Sequence, residues 1–216
     1  MMVDPGGDST IVVSLGKGKY EVKHAETKSR DRGVYVAAFD KNGKRTLTGE
    51  KLGNSITTHS FVDEQNKAVY GAVIDMNSNQ GQQFLDKLDK DNPSLLNYMW
   101  NARNDGDYDF KNIGLKERGL NTSKLQHRYR GSVSAQGEIG SARDFGNFGA
   151  GRVAARSGMT WAQARFGFDL YQGFKANNFV SLPAVPSVPI LIPSPEARTT
   201  QLGQMRGMVD GYRKYK

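Results

Sequence analysis

Residues 141–152 combine ionisable and amide side chains with glycine, a composition typical of a turn that forms a catalytic or binding site. Asp144 lies close to the amide of Asn147 in this stretch. Its three glycines are Gly146, Gly149 and Gly151. Glycine permits close backbone approach and reaches positive φ without steric cost. We therefore interpret the stretch as a glycine-rich polar turn, followed by a short helix over 153–156. The alternative is structural, with Asp144 as a helix cap and the glycines as packing contacts.

Several classes of chemistry are excluded by residue types alone. The chain contains no cysteine, so disulfides, thiolate metal sites and cysteine nucleophiles are excluded, and the redox compartment stays open. Residues 141–152 contain neither a P-loop nor a dinucleotide-binding fingerprint. The acidic loop over 104–112 lacks the chelating pattern and the closing Glu of a calcium loop. The sequence therefore predicts no metal and no cofactor.

The net charge of +8 is concentrated in the second part of the chain. Basic and acidic residues cancel over residues 1–100, and the whole surplus lies in 101–216. A basic surface attracts anionic partners such as nucleic acid, anionic lipid or the bacterial cell wall. We therefore expect the functional site after residue 100.

Two parts of the sequence resemble known families. The segment 2–7, Met-Val-Asp-Pro-Gly-Gly, resembles the final motif of Rhs/YD-repeat shells, after which a toxin domain begins. The second part comprises the segment 106–111, Gly-Asp-Tyr-Asp-Phe-Lys, the Asp-Phe-Gly-Asn turn that starts at Asp144, and the downstream Gly151 and Gln172. These motifs are similar to those of the polymorphic toxin type 44 family. The resemblance covers about residues 95–175. It implies an antibacterial toxin domain released from a larger exported protein.

The resemblance implies that Asp109, Lys111, Asp144 and Asn147 form the catalytic site. Two carboxylates and a lysine suit polymer hydrolysis, with one carboxyl protonated as general acid and the other ionised as base or nucleophile. Lys111 would keep one carboxylate ionised or stabilise developing negative charge. We expect Asp109 and Asp144 to face one cleft. The hypothesis is a hydrolase of an envelope polymer, with peptidoglycan as the favoured substrate.

Basic residues supply the substrate-binding hypothesis and the alternatives. The expected substrate-binding residues are Arg128, Arg130, Arg143 and Arg152. The first alternative is a metal-independent ribonuclease with His127 as acid/base and with Lys124, Arg128 and Arg130 on phosphate. The second is a non-enzymatic basic binding module. The expected partners are a cognate immunity protein of acidic character, the Rhs shell or precursor, and the wall polymer or RNA as substrate.

Localisation is expected to depend on a carrier. No apolar run approaches transmembrane length and no signal peptide opens the chain. We therefore expect a protein secreted, or delivered into target bacteria, as part of a larger exported protein.

The elements that must position these residues segregate along the chain. Strand patterns are followed by helix patterns, which predicts an α+β fold: a small N-terminal antiparallel β-sheet, then a mainly α-helical toxin domain. The expected strands are 10–15, 20–24, 33–39, 45–48, 57–62 and 68–76. The expected helices are 80–90, 94–103, 161–175 and one that begins near 196. The predicted organisation is a junction (1–8), an antiparallel β subdomain (9–78), a helical core with the catalytic motifs (79–182), a Pro-rich arm (183–195) and a C-terminal helix (196–216).

Overall fold

The structure is a computed structural model. In the residues that it describes, the chain forms seven strands and six helices. The described residues are 10–26, 30–42, 45–103, 105–115, 123–176 and 197–215. The strands are β1 (Thr10–Gly16), β2 (Lys19–Ala25), β3 (Gly33–Phe39), β4 (Arg45–Asn54), β5 (Val73–Asp75), β6 (Gly131–Val133) and β7 (Ile139–Ser141). The helices are α1 (Gln80–Asp91), α2 (Leu95–Asn101), α3 (Lys124–Arg128), α4 (Ala142–Arg156), α5 (Trp161–Ala176) and α6 (Arg198–Tyr215). The predicted junction and the Pro-rich arm lie outside the described residues.

All seven strands belong to one sheet of mixed direction, in the order β4-β3-β1-β2-β5-β6-β7. β1 pairs with β3 in parallel and β5 with β6 in parallel, whereas the other neighbours are antiparallel. Ser55, just after β4, forms a parallel bridge with Ile139 of β7. The backbone N–H of Ile56 then donates to the carbonyl of Ile139 at 2.8 Å. The two edges of the sheet therefore meet, and the sheet is nearly closed like a barrel.

The predicted small antiparallel sheet is wrong. The sheet contains parallel pairs, and two of its strands, β6 and β7, come from the section that the sequence pattern assigned to helices. The physical reason is that three-residue strands carry no measurable alternation of apolar and polar residues. An α+β fold is present, but its strands and helices are not segregated along the chain.

The predicted strand over 57–62 is also absent. Its residues form turns, and only Val62 makes an isolated bridge, to Ala68. The Thr57 hydroxyl accepts from the backbone N–H of His59 at 3.3 Å, and the Ser60 hydroxyl donates to the Thr57 carbonyl at 3.2 Å. Such local side-chain bonds compete with a strand ladder for the backbone groups.

Two apolar cores meet where α4 packs against the sheet. The inner face of the barrel is filled by fully buried side chains that include Val12, Val22, Val34 and Phe61. The helical core contains Phe84, Leu88, Phe145, Val153 and Met208. Phe145 of α4 has no exposed surface and approaches both Gly81 of α1 and Gly140 of β7 closely. The start of α4 is therefore anchored between sheet and helices.

In the described ranges, no helix is both long enough and apolar enough to cross a membrane.

Candidate functional site

A cavity of about 90 Å³ lies between α4 and the loop that follows α2. Its wall takes residues from five separate parts of the chain. The lining residues are Tyr98, Met99, Ala102, Tyr108, Asp109, Phe110, Lys111, Arg143, Gly146, Asn147, Ala150, Phe168 and Gln204. Three of the four predicted catalytic residues, Asp109, Lys111 and Asn147, therefore line one cavity, together with the predicted substrate-binding Arg143.

The carboxylate of Asp109 is fixed by its own loop. Its Oδ2 accepts from Asn112 Nδ2 at 2.8 Å and from the backbone N–H of Asp105 at 3.3 Å. The Asp109 carbonyl accepts from the N–H groups of Asn112 and Ile113, so the loop turns tightly. Asp109 is 2% exposed. Its Oδ1 is buried and has no hydrogen-bond partner.

Two of the predicted substrate-binding arginines, Arg128 and Arg130, donate hydrogen bonds to this loop. Arg128 Nε donates to Asn112 Oδ1 at 2.9 Å. Arg130 Nη2 donates to the Phe110 carbonyl at 2.9 Å, and its guanidinium lies 4.8 Å from the centre of the Phe110 ring. Neither arginine lines the cavity. Arg128 and Arg130 therefore position the Asp109 loop.

The predicted glycine-rich turn over 141–152 is wrong, because these residues form the greater part of helix α4. Ser141 is the N-cap, and its hydroxyl accepts from the Asp144 N–H at 3.1 Å. Asp144 Oδ2 in return accepts from the Ser141 N–H at 3.2 Å, which completes a capping box. Reciprocal caps of this kind satisfy two backbone donors that the helix leaves unpaired.

Asp144 does not line the cavity. It has no exposed surface, and Ser141 Oγ donates to its Oδ2 at 3.0 Å. Burial raises the pKa of Asp144, and the Ser60 hydroxyl, Arg143 and Ser141 oppose that rise. The structure therefore does not bring the carboxylates of Asp109 and Asp144 into one cavity, and it gives Asp144 a part in starting α4.

Burial of Asp144 has a consequence for stability that Asp144→Asn tests. A raised folded-state pKa means that, between the unfolded and folded pKa values, the folded chain binds more protons, so stability falls as pH rises. Asn keeps an acceptor for Ser141 and has no charge to desolvate. We expect the difference in free energy of unfolding, Asp144→Asn variant minus wild type, to increase from pH 4 to pH 8. Urea denaturation measures this difference. A constant difference across that range would contradict a raised pKa.

Arg143 and Asn147 project from α4 one turn apart. Arg143 is 5% exposed, and its Nη2 donates to Thr199 Oγ1 at 2.5 Å and Thr200 Oγ1 at 2.6 Å of α6. Its Nη1 has no hydrogen-bond partner, and neither has Asn147 Nδ2. The packing of α6 thus fixes the guanidinium of Arg143, whereas its Nη1 has no hydrogen-bond partner.

Arg152, the fourth predicted substrate-binding arginine, lies away from the cavity in an internal ion network. Its Nη1 donates to Asp89 of α1 at 3.0 Å, and its Nη2 to Asp210 of α6 at 2.5 Å. Asp89 also pairs with Lys214 of α6 at 2.5 Å. Arg152 therefore ties three helices together.

His127 lines a second cavity, of about 590 Å³, with Lys87, Asp107 and Arg130 among its lining residues. The ring nitrogen Nε2 lies 2.8 Å from the Ile113 carbonyl, so a proton on Nε2 makes a hydrogen bond there. Lys124 and Arg128 line a third cavity instead, of about 400 Å³, which also contacts Asp109 and Lys111. The proposed ribonuclease set is thus divided between two cavities.

Tyr98 and Gln204 are members of the cavity wall that the sequence pattern did not indicate. The Tyr98 hydroxyl donates to the Gly146 carbonyl at 2.9 Å, which links α2 to α4. Gln204 Oε1 accepts from Arg165 Nη1 at 2.6 Å, which links α6 to α5. Both residues are brought to the cavity by helix packing, and neither belongs to a local motif. Their sequence neighbourhood carried no signal that would have identified them.

Comparison with known proteins leaves the family open. The chain matches no protein-family model, no curated protein and no solved structure. Within the described ranges, no group of three or more His, Cys, Asp or Glu side chains is placed to hold a metal ion.

Proposed function

We propose that this chain is an antibacterial toxin domain that hydrolyses a bacterial envelope polymer, with peptidoglycan as the substrate, at the Asp109 cavity. The observation that carries the proposal is that Asp109 and Lys111 of one motif and Asn147 of the other line one cavity. Asp109 Oδ1 is also buried without a hydrogen-bond partner, as is Asp144 Oδ1, whereas nearly all buried polar atoms in folded proteins have one.

With one carboxylate in the cavity, the chemistry proposed is general acid–base hydrolysis and not a two-carboxylate displacement. The Asp109 carboxylate accepts a proton from an attacking water and returns it to the leaving group, so that water is divided between the two fragments. The Lys111 ammonium and the Arg143 guanidinium stabilise the negative charge that develops on the attacked group. Asn147 orients that group.

The charge distribution supports an envelope substrate and an acidic partner. The surplus of basic residues after residue 100 attracts the anionic wall. RNA is attracted by the same surplus, but a phosphate placed in the cavity would face the Asp109 carboxylate. An immunity protein with an acidic surface would complement the basic half, and delivery would occur through a larger exported Rhs protein.

The experiment that tests the function exposes purified protein to isolated sacculi and, separately, to total RNA. We expect soluble wall fragments to be released from sacculi and the RNA to remain intact. Degraded RNA with intact sacculi would reject the envelope hydrolase.

A ribonuclease is the second candidate, because His127, Lys87 and Arg130 share a cavity large enough for a nucleotide. The His127→Ala variant separates the two candidates. A ribonuclease that uses His127 should lose about 10²–10⁴-fold of its activity on RNA, the usual effect of a lost acid/base. The envelope hydrolase should keep its activity on sacculi in this variant.

A further inference from the structure

Three side chains in the wall of the Asp109 cavity each carry one buried polar atom without a hydrogen-bond partner. These atoms are Asp109 Oδ1, Asn147 Nδ2 and Arg143 Nη1. Folded proteins satisfy nearly all buried polar atoms, with protein groups, water or a ligand. Three such side chains around one cavity favour a ligand group that pairs with their unpartnered atoms.

The three atoms define the chemistry of that group. Asp109 Oδ1 is an acceptor, whereas Asn147 Nδ2 and Arg143 Nη1 are donors. A phosphate or carboxylate would satisfy the donors but would bring negative charge against Asp109. An ammonium would satisfy Asp109 but would face the Arg143 guanidinium. An amide offers an N–H to Asp109 and a carbonyl oxygen, with two lone pairs, to Asn147 and Arg143.

The size and the apolar part of the cavity agree with an amide that carries a small alkyl group. Its volume of about 90 Å³ admits a group of a few heavy atoms. Met99, Ala150 and Phe168 supply apolar surface in the same wall. An acetamido group or a single peptide unit is of that size.

We propose that the cavity recognises an amide group of the substrate, held by Asp109, Asn147 and Arg143. This inference rests on the proposed function and deepens it, because it names the group of the envelope polymer that the site selects. Peptidoglycan offers amides of two kinds, the acetamido groups of its sugars and the bonds of its peptides.

The test measures binding by NMR chemical-shift changes, independently of hydrolysis. The probes are N-acetylglucosamine and N-acetylalanine N-methylamide, compared with glucose and inorganic phosphate. We expect at least one amide probe to bind about 10-fold or more tightly than glucose, as expected for a site with unpaired polar groups. The stronger of the two amide probes identifies sugar or peptide as the source of the group.

Two variants keep the test decisive. Asn147→Asp preserves the size of the side chain but replaces the donor with an acceptor, and it should remove the preference for the amide. Asn97→Asp, on exposed α2, changes charge in the same way and should leave it unchanged. Equal binding of glucose, or binding of phosphate alone, would overturn the proposal. Amide binding without release of wall fragments would support this inference and reject the hydrolase, whereas hydrolysis without amide preference would do the reverse.

Discussion

Asp109→Asn is expected to lower the rate of wall-fragment release by about 10²–10⁴-fold, the usual loss when a general acid or base is removed. Asn can accept the hydrogen bonds that Asn112 and Asp105 donate to Asp109 Oδ2, so the loop should keep its conformation. What the variant lacks is an oxygen that can take up and release a proton. The measurement is release of soluble fragments from sacculi at equal concentrations of folded protein.

The matched control for this variant is Asp86→Asn. Asp86 lies on the exposed side of α1, where it accepts from Gln82 Nε2 at 2.8 Å. The substitution removes the same charge far from the cavity, and it should leave the rate unchanged. Asp144→Asn should also retain more activity than Asp109→Asn, because Asp144 is buried in a capping box. Equal rates for Asp109→Asn and Asp86→Asn would remove Asp109 from the mechanism.

The first three strands, β1, β2 and β3, were predictable because their signal is local. The predicted 33–39 coincides with β3, and the predictions for β1 and β2 end within one residue of the observed strands. β6 and β7 were missed because each has three residues, and a strand of that length depends on its partners. The closure of the sheet through Ser55 and Ile139 joins residues far apart in sequence, which no local pattern reports.

The glycine-rich stretch was misinterpreted because composition indicates what glycine permits and not why it is present. Gly149 faces Leu88 and Phe84, and Gly151 faces the backbone of α6, so both serve helix packing. The spacing of Ser141 and Asp144 does match a capping box with Asp in place of Glu. The structural alternative, in which Asp144 caps a helix and the glycines pack, therefore describes this stretch better than a polar turn.

The site was predictable only in part, because a residue's type does not show what its side chain contacts. Asp109, Lys111, Asp144 and Asn147 were named from motifs, and the structure brings all of them except Asp144 to one cavity, together with Arg143, which was named from charge. Arg128, Arg130 and Arg152 were named from charge, and they hold loops and helices in place. Charge does not distinguish a guanidinium that contacts substrate from one that satisfies backbone carbonyls or buried carboxylates. Only the packing of the helices makes that distinction.

The close packing of α4 on α6 depends on glycines that leave no room for a side chain. A Cβ at Gly151 would lie 1.9 Å from the Gln204 carbonyl oxygen, and a Cβ at Gly207 would lie 1.9 Å from the Phe148 carbonyl oxygen. Both neighbours are backbone atoms, which cannot rotate away. The two helices would have to separate, and the contacts between Arg143 and the threonines of α6 would separate with them.

Gly151→Ala is therefore expected to lower the free energy of unfolding by about 3 kcal/mol or more, at the upper end of the usual cost of overpacking. Gly167→Ala in α5 is the control, because a Cβ there meets nothing within 4 Å. Relief of glycine's backbone entropy should make that variant about 0.5–1 kcal/mol more stable. Urea denaturation of both variants measures the difference. If Gly151→Ala proves as stable as Gly167→Ala, α4 and α6 do not pack backbone against backbone, and α6 does not fix the Arg143 side of the cavity.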